Sequence, residues 1–222
     1  DQYPELTYLG NTLSKIRLYR EWSFGRYTTP RMAQKADLPN EFLEPDASNL
    51  GLVLNRLQRD PGVMKKILNS LHALYEGIDD YYVQVEAGTV QVFFHEGKYT
   101  IPATRLSDGT LRYLCLLSIL CHPAPPPLVC IEEPELGLHP DVLPTLADLM
   151  KDASERCQLI VTTHSDVLVD AMSDQPESVL VAEKTDCSTY LRRLYAEELS
   201  PWLEGYRLGQ LWTRGELGGT RW

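Results

Sequence analysis

The run Leu128-Val129-Cys130-Ile131 passes directly into Glu132-Glu133-Pro134-Glu135 and then into the turn Gly137-Leu138-His139-Pro140. A short, wholly apolar run bounded by turn residues reads as a buried strand of a parallel sheet. Its two terminal carboxylates then fall at the C-terminal rim of that sheet, where open α/β folds place their ligands. Carboxylates at such a rim suit holding a Mg²⁺ ion and positioning a water beside a nucleotide phosphate. Taken alone, the same residues also fit a strand that ends in solvated acids.

The flanking segments change that balance. Upstream, Leu106-Ser107-Asp108-Gly109-Thr110 opens a strongly apolar helix, Leu111 to Leu120, which His122-Pro123 and the prolines at 125–127 terminate. Ser107 is a good N-cap, Asp108 favours the positive end of the helix dipole, and Gly109 lets a backbone amide approach a ligand closely. Exposed amides at a helix start bind anions, although an ordinary capped helix has the same sequence marks. Downstream, the spacing predicts a helix from Asp141 to Ser154 and a strand from Gln158 to Thr163. His164-Ser165 follows, and then a helix running to Met172. A histidine at a strand's C-terminal edge can bond a phosphate oxygen or an attacking water, or can be a plain turn residue. Strand and helix alternating at this spacing mark a parallel α/β sheet.

The region before residue 106 reads differently. Lys15 to Phe24 has the β-branched and aromatic content of a strand. The segment from Thr29 to Asn40 reads as a solvated loop, with Arg31, Gln34 and Lys35 as side chains able to face a phosphate. Ser48 is expected to cap a helix presenting Leu50, Val53, Leu54 and Leu57 on one face. A second helix starts at Pro61, carries Met64, Ile67, Leu68, Leu71 and Tyr75 at helical spacing, and ends at Gly77. Tyr81 to Glu86 and Val90 to His95 form a hairpin about Ala87-Gly88-Thr89, with Tyr99-Thr100-Ile101 as a third short strand. At the other end, Ser178 to Ala182 and Tyr190 to Leu194 are expected to form an antiparallel pair, with a short helix after Ala196.

The 222 residues carry a net charge of −10, which argues against a surface covered in nucleic-acid-binding side chains while leaving room for a local basic patch. No apolar run approaches membrane-spanning length and no signal-peptide pattern is present, so a cytoplasmic protein with no membrane partner is expected. Of five cysteines, Cys115, Cys121, Cys130 and Cys157 lie in or beside apolar segments without CxxC spacing, which predicts free thiols.

In sequence order, the serine-glycine helix start, the glutamate-ended strand and the histidine-ended strand carry a specific resemblance. Leu106-Ser107-Asp108-Gly109-Thr110 resembles the signature motif of ABC-type ATPases, and Ile131-Glu132-Glu133-Pro134 resembles their Walker B strand with its catalytic glutamate. Gly137-Leu138-His139-Pro140 resembles the D-loop, and Thr163-His164-Ser165 the switch-histidine loop. The version with Glu-Pro-Glu and Gly-Leu-His-Pro is similar to RecF/SMC-like, AAA-labelled bacterial ATPases, including the OLD-like group. The closing Leu208-Gly209-Gln210-Leu211-Trp212 and Gly218-Gly219-Thr220-Arg221-Trp222 also resemble tails of that group.

The resemblance implies a fold class: an α/β, ABC-ATPase-like C-terminal part with a parallel sheet flanked by helices. Residues 1–105 would form a helical and antiparallel lobe, and residues 106–222 the signature helix, Walker B, D-loop, switch histidine and C-terminal strands. It also implies ATP and Mg²⁺ as cofactors. Glu132 would order Mg²⁺, Glu133 would activate water, and His164 would sense the γ-phosphate. Ser107 and Gly109, with Asp108 between them, would face ATP held by a second copy of the protein, and Leu138 and His139 would lie at the dimer seam. Two positions depart from the transporter pattern: Glu132 stands where an aspartate is usual, and Asp108 where the second glycine is usual.

A phosphate loop of the form Gly-x-x-x-x-Gly-Lys-Ser/Thr is not found. Lys184 alone precedes a threonine, with Glu183 before it, and Gly97-Lys98 is followed by Tyr99. The chain starts at Asp1 without methionine, so a fragment is expected, with the Walker A-bearing segment N-terminal to it and little activity in the fragment itself. The expected whole is an ATP hydrolase acting in DNA maintenance or phage defence, with DNA or an effector nuclease as further partners. The alternative is a non-catalytic dimerisation or docking module that retains the ATPase fold. A metal nuclease built on Glu132, Glu133, Glu135 and His139 is a third, weaker reading.

Overall fold

The structure is a computed structural model that describes residues 3–184 and 186–219. Thr220, Arg221 and Trp222 of the tail motif lie outside the described residues. The chain divides after Thr162 into two compact units.

The first unit contains, in order, α1 (Pro4–Leu13), β1 (Arg17–Tyr19), β2 (Gln34–Lys35), α2 (Leu50–Leu57), α3 (Pro61–Leu74), β3 (Asp80–Glu86), β4 (Thr89–Glu96) and β5 (Tyr99–Pro102). It continues with α4 (Asp108–Leu120), β6 (Leu128–Glu132), α5 (Leu143–Ser154) and β7 (Gln158–Thr162). β1, β6 and β7 form a parallel sheet in that order, with Leu18 opposite Cys130 and Cys130 opposite Ile160. β2, β4, β3 and β5 form a separate antiparallel sheet in which β4 pairs with all three others. The fold is thus α/β, a parallel sheet flanked by helices and accompanied by a helical and antiparallel lobe.

α4 is the centre of the core: ten of its thirteen residues are buried, from Thr110 to Leu120 with Arg112 the exception. A helix apolar on all sides is a buried helix. Against one face of the parallel sheet, Tyr19, Val129 and Ile131 are buried. The opposite face is more open, with Leu18 50% and Ile160 55% exposed on either side of half-buried Cys130. Parallel sheets bury both faces as a rule, so this stripe has the composition of a covered surface.

Several expectations are corrected here. The strand at Lys15 to Phe24 is only Arg17–Tyr19, because its partner β6 ends at Glu132 and the chain then leaves the sheet. Trp22 and Phe24 turn inward as an edge-to-face aromatic pair, and Trp22 Nε1 donates to the Pro45 carbonyl at 2.9 Å. Ser48 does not cap α2; Asn49 holds that position, and its side chain instead pins the preceding loop through Glu44, Pro39 and Phe42. The segment at 29–40 is not a solvated loop. Gln34 is buried and accepts from the Gly51 amide at 2.7 Å, while Arg31 is 6% exposed.

Other boundaries agree closely with the sequence. Asp60 caps α3 by accepting from the Gly62 and Val63 amides, with Pro61 in the first turn. Ala87 and Gly88 both have positive φ, 48° and 76°, the mark of a two-residue type I′ hairpin turn. α1 has no buried residue, so the core supplies no pattern from which it could be read.

The second unit contains α6 (Asp166–Asp170), β8 (Leu180–Lys184), β9 (Thr189–Arg193), α7 (Ala196–Leu203) and α8 (Leu208–Thr213). β8 and β9 pair antiparallel. Its core is Leu194, Leu208, Leu211 and Leu217, with Val169, Val181 and Trp212 packed against them. The glycines of the tail have steric reasons. Gly218 and Gly219 have φ of +73° and +68°, and a Cβ on Gly218 would fall 2.0 Å from Glu183 Oε1. Glu183 in turn accepts from the Gly219 amide at 2.9 Å, which fastens the tail to β8.

Candidate ATPase site

Ser107 caps α4 as the sequence predicts, its hydroxyl accepting from the Thr110 amide at 3.0 Å. Such a cap contributes about 1 kcal/mol. Asp108 points to a partner that the sequence did not suggest: its carboxylate is ion-paired with the Arg31 guanidinium. Gly109 is packed against the turn after β6, where a Cβ would sit 2.6 Å from the Gly137 carbonyl oxygen. Gly137 itself has φ +71°. The helix start at 107–110 and the turn at 133–139, far apart in sequence, are therefore in direct contact within the first unit.

Glu133 has φ +43°, although it is neither glycine nor asparagine and it precedes a proline. A non-glycine residue in this region costs on the order of 1–3 kcal/mol, and such strain gathers at functional sites. Three hydrogen bonds hold it there. Its amide donates to the Thr162 carbonyl at 2.9 Å, extending the β6–β7 ladder by one residue. Its carbonyl accepts from the Leu136 amide at 3.2 Å and from Arg112 Nη1 at 3.4 Å. The left-handed turn lifts the Glu133 side chain out of the strand's alternation, giving Glu132 and Glu133 different surroundings.

Arg112 is the lone cation of α4. It is half-buried beside the rings of Trp22 and Phe24, at 5.6 and 5.8 Å. Burial lowers its pKa from the ordinary value, while Cys115, Glu135 and Glu133 act in the opposite direction. Glu132 is bonded to Arg20 Nε at 2.8 Å, and both side chains are well exposed. That hydrogen bond raises the Arg20 pKa. Neither arginine was singled out from the sequence. Arg112 was detectable as one charge in an otherwise apolar helix, whereas Arg20 is recognisable only once β1 is known to lie beside β6.

Leu138 is half-buried and His139 exposed, and His139 Nδ1 accepts from the Asp141 amide at 3.3 Å to start the turn into α5. His164 belongs to the second unit. It is exposed and precedes Ser165, which caps α6 by accepting from the Leu168 amide at 3.2 Å. Among the described residues no three His, Cys, Asp or Glu side chains gather as a metal-binding group. Glu132, Glu133, Glu135 and His139 thus do not gather as such a group. A single rim carboxylate suits Mg²⁺, which takes one or two carboxylates and completes its shell with water and substrate phosphates. All five cysteines are free thiols, and burial raises the pKa of Cys115 and Cys121.

Residues 17–170 match the family model described as "AAA domain, putative AbiEii toxin, Type IV TA system". The chain belongs to this AAA-domain family. No curated protein matches it. Among solved structures it is similar to the Smc head domain of Pyrococcus furiosus bound to the C-terminal domain of ScpA, at 20% identity and TM-score 0.51 over 65% of this chain and 37% of that one. An SmcHead bound to the C-winged helix domain of ScpA matches at 17% identity and TM-score 0.51, over 66% and 46%. The Smc head domain of Pyrococcus yayanosii matches at 21% identity and TM-score 0.49, over 65% and 29%. The two likenesses at TM-score 0.51 show an SMC-head-like fold. The AAA-domain chain spans less than half the length of each of these three relatives. None of its described helices is long and apolar enough to cross a membrane.

A substitution tests the contact between the two turns. Gly109→Ala forces a Cβ against a backbone oxygen that no side-chain rotation can relieve. The expected result is a loss of stability of about 1–3 kcal/mol, the usual cost of overpacking. Urea denaturation measures it, and an unchanged midpoint would show that the turns are not in register.

Proposed function

We propose that this chain is the signature-bearing part of an ATPase head that hydrolyses ATP at a composite site between two copies of the protein. The supporting observation is the contact between Gly109 and Gly137, which joins the anion-binding helix start to the strained carboxylate turn. In this reading Ser107 and Gly109 face the γ-phosphate of a nucleotide held by the other copy, with donors from the helix start. Glu133, raised from the sheet by its left-handed backbone, orients the attacking water and takes its proton. Glu132, at the sheet rim beside Arg20, would be the residue that holds Mg²⁺. Mg²⁺, when bound, supplies charge neutralisation at the β- and γ-phosphates. His164 senses the γ-phosphate, while Leu138 and His139 lie along the seam between the copies.

The phosphate-gripping loop comes from a Walker A-bearing segment of the same protein. The open stripe of Leu18, Cys130 and Ile160 favours such a covering segment, since it is apolar and lies on a parallel sheet. Hydrolysis then drives work on DNA or gates an effector nuclease.

The test is light scattering of the complete protein with and without Mg²⁺-ATP. The mass is expected to double with ATP and to return as ATP is consumed. A mass independent of ATP, with no nucleotide bound, would leave only the docking-module reading.

A further inference from the structure

We infer that Arg31 is the positioning residue of the phosphate-facing turn, and that Asp108 serves as its counter-ion rather than as a ligand for nucleotide or metal. The inference rests on the ATPase reading above and concerns how the chain tolerates a carboxylate inside an anion-binding turn.

Arg31 is nearly wholly buried, which is costly for a group that stays charged unless its donors and its charge are met. Here they are. Nε and Nη2 donate to the Phe24 carbonyl at 3.3 and 3.1 Å, and Nη1 donates to the Thr104 carbonyl at 3.2 Å. Nη1 also donates to the Leu106 carbonyl, and Nη2 to Asp108 Oδ1. The guanidinium thus holds the residue before Ser107 by its backbone and the residue after it by its side chain. Ser107 is bracketed from both sides and its hydroxyl is left to the cap.

The geometry also accounts for the aspartate. A bare carboxylate between Ser107 and Gly109 would repel a phosphate arriving at the same amides. A cation on the inner side of Asp108 neutralises it, and the arginine's planar fork can grip carbonyls and carboxylate together in a way lysine cannot. Arg31 acts through Ser107 and Asp108 and need not touch the nucleotide.

The experiment uses the complete protein and reads the ATP concentration at half-maximal dimerisation, together with KM and kcat. Arg31→Ala is expected to raise that concentration and KM about fivefold, the scale of one uncompensated, water-screened charge about 4 Å from an anion, since the Asp108 side chain is largely exposed. Its kcat at saturating ATP should change much less. Adding Asp108→Gly to Arg31→Ala removes the uncompensated carboxylate and should recover most of the loss. Equal defects in the single and double variants would overturn the inference, as would an Arg31→Ala protein with wild-type KM. Should Arg31→Ala not fold, Asp108→Asn alone decides. With Arg31 still charged, half-dimerisation should then need less ATP, and an unchanged or higher requirement refutes the inference. Wild-type protein that neither binds ATP nor dimerises with it would remove the ATPase reading too, whereas normal wild-type behaviour with indifferent variants removes this inference alone.

Discussion

Glu133→Gln in the complete protein is expected to leave ATP binding intact while lowering turnover by about 10²–10⁴-fold, the usual contribution of a positioned general base. The amide has the shape of the carboxylate, so the three hydrogen bonds to the Glu133 backbone persist, as does the φ of +43° that they maintain. What disappears is the ability to accept the proton of the attacking water. The corresponding change at Glu132 should behave differently, because that side chain lies at the sheet rim in contact with Arg20 and its loss should weaken Mg²⁺-dependent binding. Binding of a fluorescent ATP analogue alongside single-turnover hydrolysis separates the two. Near-normal hydrolysis in Glu133→Gln would take that residue out of the reaction.

Gly209→Ala should be the most damaging change in the second unit. A Cβ there would lie 2.1 Å from the Asp166 carbonyl oxygen and 2.6 Å from Asp170 Oδ1, so α8 must separate from α6. The Gln210 amide also donates to Asp170 Oδ1 at 3.2 Å, and the Leu208 amide to Ser173 Oγ at 2.9 Å, so separation costs hydrogen bonds as well as packing. A loss of about 3 kcal/mol is expected, the upper end of overpacking effects. Hydrogen exchange should show it as faster exchange at Leu194, Leu208 and Leu211, the core of this unit. Unaltered protection there would mean that α6 and α8 are not packed as described. Because α6 begins two residues after His164, the same variant should lower turnover if His164 senses the γ-phosphate.

The elements best read from the sequence are those whose determinants are local. Ser107 at the head of α4, Pro61 at the head of α3 and Ala87-Gly88 in the hairpin each carry their own stereochemical reason. Reading failed where a distant partner decides. Ser48 and Asn49 are both competent caps, but Asn49 is recruited by the 39–44 loop and leaves α2 without a side-chain cap. Arg31 looks like any polar loop residue until the carbonyls of Phe24, Thr104 and Leu106 converge on it.

The carboxylate pair after an apolar strand, the capped glycine-containing helix start before it and the histidine-ended strand after it were legible as ordered motifs. Their spacing reflects backbone geometry that any strand or helix of that sequence adopts. Their assembly was not legible. That Gly109 rests on the Gly137 carbonyl, that Glu133 is forced to positive φ, and that Asp108 and Glu132 each face an arginine all depend on contacts between residues tens of positions apart. Local propensity is silent about such contacts, because the energy that enforces them is gained only when α4, β6 and the 24–31 segment pack into one core.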